Sequence, residues 1–157
     1  MSQFQTNNSP SLVVVGDYPT HVWPGQWLNP AFKVEMAHVE HYANFYQMDT
    51  GRLYATVTCH WMNPENLDHE EIKRGDLQGQ KLVYAAVTGD FARFTFDHLK
   101  FKMTAGGFYY FEVDVYFRRG QTENQLPGHD IHVDWTNEMI NRRIYVEKVM
   151  HAEPGFI

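Results

Sequence analysis

The chain has 157 residues, a formal charge of −6 and a pI near 5.8, a balance that excludes a basic surface covering the whole domain of the kind that drives non-specific nucleic-acid binding. With 43% hydrophobic and 20% charged residues it has the composition of one globular domain, long enough to bury a core without disulfide or metal. Cys59 is the single cysteine, which rules out an intramolecular disulfide, and no apolar run is long enough to span a bilayer. With no apolar signal region after Met1, an intracellular protein is expected.

Residues 1–11 are polar, and Asn7, Asn8 and Pro10 break any periodicity, so they read as a flexible arm ahead of a domain spanning 12–151, with 152–157 as a tail. Leu12, Val13, Val14 and Val15 end at Gly16 and form a short buried strand; Pro19 and Pro24-Gly25 then mark a loop flanked by Trp23 and Trp27. Phe32, Val34 and Met36 alternate with Lys33 and Glu35 in a strand expected to continue towards Val39. Leu53, Ala55, Val57, Cys59 and Trp61 share one side of the next strand, opposite Tyr54, Thr56, Thr58 and His60. The charged stretch 68–76 lacks an apolar stripe at helical spacing and reads as a loop with at most one helical turn.

A strand over 81–87 follows, then a turn at Gly89-Asp90, and Phe91, Phe94 and Phe96 lead to Leu99, Phe101 and Met103. After the turn Ala105-Gly106-Gly107, a long strand carries Tyr109, Phe111, Val113, Val115 and Phe117 on one face. Its other face carries Phe108, Tyr110, Glu112, Asp114, Tyr116 and Arg118. A polar connection over 119–128, a short strand over 131–135 and a closing strand over 142–150 complete the chain. Seven or eight short antiparallel strands, with 15% aromatic residues and no helix of ordinary length, define an all-β sandwich, immunoglobulin-like or jelly-roll.

No nucleophile, base and oxyanion donor come together in this pattern, so the chain is expected to be non-catalytic and to need no cofactor. The candidate partner-binding residues are Phe108, Tyr110 and Tyr116 on the outer face of the long strand, with Trp23 and Trp27 beside their turn. The two tryptophans, joined by Trp61, equally suit stacking on sugar rings, the reading of a lectin-like, carbohydrate-binding sandwich. On one strand, Asp130, His132 and Asp134 would share a face and form a metal candidate. His38 and Glu40 would do so beside His41. Cys59 and His60, being adjacent, face opposite ways and form no nucleophile and base pair. Lys100, Lys102, Arg118, Arg119, Arg142 and Arg143 would make a local nucleic-acid patch if their strand ends met.

Several features in order resemble one known family. Leu77-Gln78-Gly79 precedes a strand, Phe94-Thr95-Phe96 and Leu99 follow, and Gly107-Phe108 opens the strand to Phe117. Residues 12–15 with Pro19, and Ile144 with Val146, sit where opening and closing strands belong. The arrangement resembles the velvet domain of fungal developmental regulators, whose fold is similar to the Rel immunoglobulin-like domain. The resemblance implies homotypic or heterotypic association in transcriptional or developmental control, in nucleus and cytoplasm. Two departures stand out: Asp97 lies one place early relative to the family's acidic position, and the segment 16–25 holds no Lys or Arg, so DNA binding is not carried over.

Overall fold

The computed structural model describes residues 12–120 and 129–149. The expected arm, tail and most of the polar connection lie outside them. Two sheets face each other. The smaller has the order β1 (Leu12–Val14), β3 (Phe32–Ala37), β9 (Phe91–Phe96), β8 (Ala86–Thr88). The larger runs β2 (His21–Val22), β13 (Glu138–Val146), β11 (Gly107–Phe117), β4 (Leu53–Met62), β5 (Glu70–Ile72), with β12 (Ile131–His132) also on β11 and β7 (Leu82–Tyr84) also on β4. A third, two-stranded sheet joins β6 (Leu77–Gly79) to β10 (Leu99–Phe101).

Alternation along each strand sends one set of side chains into the space between the sheets. Phe32, Val34, Met36, Ala92, Phe94 and Phe96 of the smaller sheet are buried, as are Phe111, Val113, Val115 and Phe117 of β11 and Ala55, Val57 and Cys59 of β4. Rings cross the interface, with Phe32 and Phe111 4.7 Å apart, and Phe101 of the two-stranded sheet stacks on Phe111 from the side at 6.1 Å with planes 5° apart. The protein is therefore an all-β, sandwich-like molecule, as its sequence predicts.

Four local expectations are corrected. The chain divides into more strands than seven or eight, because pieces of two or three residues are too short to display alternation, and β2 pairs with β13 in parallel. The strand from Phe32 stops at Ala37; His38 turns the backbone left-handed (φ 61°) and an eight-residue helix, α1 (Val39–Tyr46), follows. Val39, Tyr42 and Ala43 are its buried residues, at helical spacing. Asp90 caps it from the neighbouring turn, accepting from the Glu40 amide through Oδ1 (3.1 Å) and from the Val39 amide through its carbonyl (3.2 Å). His38 and Glu40 therefore share no strand face. Finally, the segment 81–87 is two strands: β7 on the large sheet and β8 on the small one, with Ala85 between them.

Candidate functional site

The outer face of the large sheet concentrates the protein's polar and aromatic chemistry. β11 and β4 pair in register over nine positions, so the outward residues Tyr110, Glu112, Asp114 and Tyr116 stand opposite His60, Thr58, Thr56 and Tyr54. A hydrogen-bonded row crosses the centre. His60 Nε2 lies 2.6 Å from Glu112 Oε1, and His132 Nε2 lies 3.2 Å from Asp114 Oδ1. Asn137 joins the two pairs when its amide is oriented with the nitrogen towards the carboxylates, as their acceptor oxygens require; the nitrogen then donates to Glu112 Oε2 at 2.5 Å and to Asp114 Oδ1 at 3.0 Å. Burial, then the neighbouring Glu112 charge, push the Asp114 carboxyl above its ordinary pKa, against the opposing pull of His132. The Tyr116 hydroxyl is raised by burial and by both carboxylates.

Beside this row runs a ladder of rings. Tyr84 lies 5.5 Å from Tyr54, Tyr54 stacks on Tyr116 at 5.3 Å with planes 19° apart, and Tyr116 lies 5.0 Å from His132. The Tyr54 hydroxyl donates to Asp130, which also accepts from the Arg119 amide at 3.1 Å. Asp130 and His132 are thus engaged with separate partners. Asp134 sits exposed in a 3₁₀ turn (Asp134–Thr136), because the strand that would have aligned all three ends at His132. Among the described residues no three His, Cys, Asp or Glu side chains converge to hold a metal ion, so the expected Asp130, His132 and Asp134 cluster is not formed.

At the far end of the same face a second group of rings is open. Three residues of β13, Asn141, Arg142 and Arg143, bulge opposite Tyr110 alone, and all three are exposed. Arg143 lies over the Phe108 ring at 5.6 Å, with its Nε 3.4 Å from the Tyr110 hydroxyl. From Phe108 the rings continue to Tyr145 (5.0 Å), His21 (5.6 Å) and Trp23 (6.5 Å). Phe108 and Trp23 are 40% and 51% exposed, whereas Tyr110 is buried and Tyr116 half-buried. Of the three outer-face aromatics named as partner-binding candidates, Phe108 alone is open; the register that packs Tyr110 and Tyr116 against β4 and β12 covers the others.

Trp23 and Trp27 flank a turn in which Gly25 adopts φ +79° and the Gln26 amide donates to the Trp23 carbonyl (3.4 Å). They contact different neighbours: Trp27 lies 4.3 Å from His98 with Lys100 Nζ 4.5 Å from its ring. Trp61 is fastened, donating from Nε1 to the Gly106 carbonyl (3.0 Å) with Lys73 over its ring.

The six basic positions sit in three places. Lys100 and Lys102 are by the two-stranded sheet, Arg118 and Arg119 follow the end of β11, and Arg142 and Arg143 are in the β13 bulge. Lys102 pairs with Asp76 at 2.8 Å, while Arg118 and Arg142 lie over Tyr84 and Tyr18. Cys59 is buried on the core side, and burial pushes its thiol up to about 12.

Sequence reasoning reached the outward set of β11 but missed Asn137, His21 and Tyr145, whose roles depend on strand pairing. The fold and this face together define a class, an all-β sandwich-like protein with a polar-aromatic sheet face. No protein-family model matches the chain, and no curated protein matches it. No helix among the described residues is long and apolar enough to cross a membrane.

Proposed function

We propose that this chain is a non-catalytic association module, velvet-like and immunoglobulin-like, that pairs with a second copy or a related domain through the open end of its large sheet. The observation that carries the reading is the continuous run Trp23, His21, Tyr145, Phe108, Arg143 across β2, β13 and β11. Aromatic rings and arginine dominate the central contacts of protein interfaces, where they bury much area at little entropic cost. The order of sequence features shared with velvet domains supports a role in developmental or transcriptional control in nucleus and cytoplasm. DNA contact is not part of the reading, since the basic side chains are dispersed.

Light scattering across a concentration series tests it. The wild-type mass is expected to rise towards that of a dimer, and Trp23→Ala with Phe108→Ala is expected to hold the protein as a monomer. A wild-type mass fixed at the monomer value would reject self-pairing and leave a related domain as the partner, and an unchanged mass in the folded double variant would reject the surface.

One observation favours a second reading, carbohydrate binding: Trp27 is 47% exposed while resting on His98 and Lys100, a supported ring of the kind that stacks on sugars. Tryptophan fluorescence that shifts on adding soluble glycans, and ceases to shift in Trp27→Ala, is the outcome this reading requires.

A further inference from the structure

The long strand β4 is paired in two separate stretches along its outer edge: β7 covers Tyr54, Ala55 and Thr56, and β5 covers His60, Trp61 and Met62. Between them the Val57 amide donates to the Lys81 carbonyl and the Lys73 amide to the Cys59 carbonyl, each at 3.0 Å. Between Lys73 and Lys81 the chain leaves this edge, forming a 3₁₀ turn (Arg74–Asp76) and then β6, which pairs with β10 instead. The gap it leaves is a cavity of about 370 Å³ lined by Thr56, Val57, Thr58, Arg74, Lys81 and Leu82. That volume lies within the range of small-ligand sites, roughly 300–1,000 Å³.

Both lips are fixed at the backbone, and each carries a cation. Lys81 holds its carbonyl on Val57, and Arg74 directly follows Lys73 on Cys59. The turn bearing Arg74 is further anchored two residues on, where the buried Asp76 takes the Tyr109 hydroxyl (2.7 Å) and Lys102 Nζ (2.8 Å). Among the described residues neither Arg74 nor Lys81 forms an ion pair. Among the described residues no carboxylate lines the cavity. Glu112 and Asp114, one strand away opposite Thr58 and Thr56, already take His60, Asn137 and His132.

A guanidinium, an ammonium and two hydroxyls supply many hydrogen-bond donors around one opening, more than a planar carboxylate can use and well suited to the oxygens of a phosphate. Leu82, 42% exposed, gives the opening an apolar side. We propose that this gap in the edge of β4 binds a small phosphate monoester with an apolar body, the phosphoryl group held between Arg74 and Lys81 with Thr56 and Thr58, and the body resting on Leu82. The site is independent of the association surface at Phe108 and Trp23.

Amide chemical-shift mapping with phenyl phosphate, inorganic phosphate and benzoate tests it. Phenyl phosphate is expected to give saturable shifts centred on residues 56–58, 74 and 81–82, with inorganic phosphate binding the same place more weakly and benzoate weaker than phenyl phosphate. Arg74→Gln with Lys81→Gln is expected to weaken phenyl phosphate by at least about tenfold, the scale of one lost charge-assisted hydrogen bond. Lys33→Gln, which removes a cation from the other sheet, is expected to leave binding unchanged. The proposal is overturned by the absence of saturable shifts at about 10 mM phenyl phosphate, ten times a 1 mM dissociation constant. Equal binding by the folded double variant, or benzoate matching phenyl phosphate, overturns it too.

Discussion

The hydroxyl of Tyr109 offers the sharpest test of how the edge of the large sheet is held in place. The side chain is 1% exposed; its hydroxyl donates to Asp76 Oδ2 at 2.7 Å and accepts from the Gly106 amide at 3.3 Å. It thereby joins β11, the turn before it and the 3₁₀ turn that carries Arg74. Tyr109→Phe keeps the ring against Phe101, 4.8 Å away, and removes the oxygen alone. A hydrogen bond to a charged group contributes about 1.5–3 kcal/mol, and the deletion leaves part of a buried carboxylate and one amide without that partner. Lys102 still holds the other carboxylate oxygen, which places the loss near the middle of the range, about 2 kcal/mol. For a domain of this size that corresponds to a fall in Tm of roughly 4–8 °C. Thermal unfolding followed by circular dichroism, with a urea titration for the free energy, measures both. A variant within about 0.5 kcal/mol of wild type would show that the Asp76 network is not what fixes these turns.

Gly79 in Leu77-Gln78-Gly79 has φ +108°, and a Cβ there would stand 2.1 Å from the His98 carbonyl oxygen. Gly79→Ala should therefore cost about 3 kcal/mol or more, read from the urea midpoint; a near-neutral result would contradict the β6–β10 pairing. Asp114 titrates with the opposite sign from a salt-bridged carboxylate, because its pKa is raised on folding. The folded state then holds the proton more tightly than the unfolded one, so stability is lost as pH rises from about 4, the unfolded value, through the folded value. Asp114→Asn keeps an oxygen for His132 and Asn137, and its stability relative to wild type should climb across that window and then level off; a difference independent of pH in urea titrations would refute the burial argument. Asp90→Ala removes the side-chain acceptor at the start of α1 and should cost about 1 kcal/mol, seen as a lower unfolding midpoint; an unchanged midpoint would mean the backbone bond from Val39 suffices.

Much of this fold was legible before any tertiary structure, since alternation along a strand is a property of the extended backbone and appears wherever one face is buried. The strands from Phe32, Leu53 and Gly107, and the inward set Tyr109 to Phe117 at alternate positions, follow from that rule alone. Cys59 and His60 facing opposite ways follows from it too. The helix over Val39–Tyr46 was hidden because it is short and begins directly after a strand, at a left-handed His38 that no side-chain pattern announces.

What tertiary structure alone decided is which strands become neighbours. That choice covered Tyr110 and left Phe108 open, bridged Glu112 and Asp114 through an asparagine two dozen residues downstream, and separated Asp134 from Asp130 and His132. It also opened a gap along β4 between two cations on segments that pair elsewhere. The physical reason is common to all of these. Alternation is fixed by the geometry of the extended backbone, whereas register, bulges and sheet order are fixed by the packing of the whole core, to which residues distant along the chain contribute together.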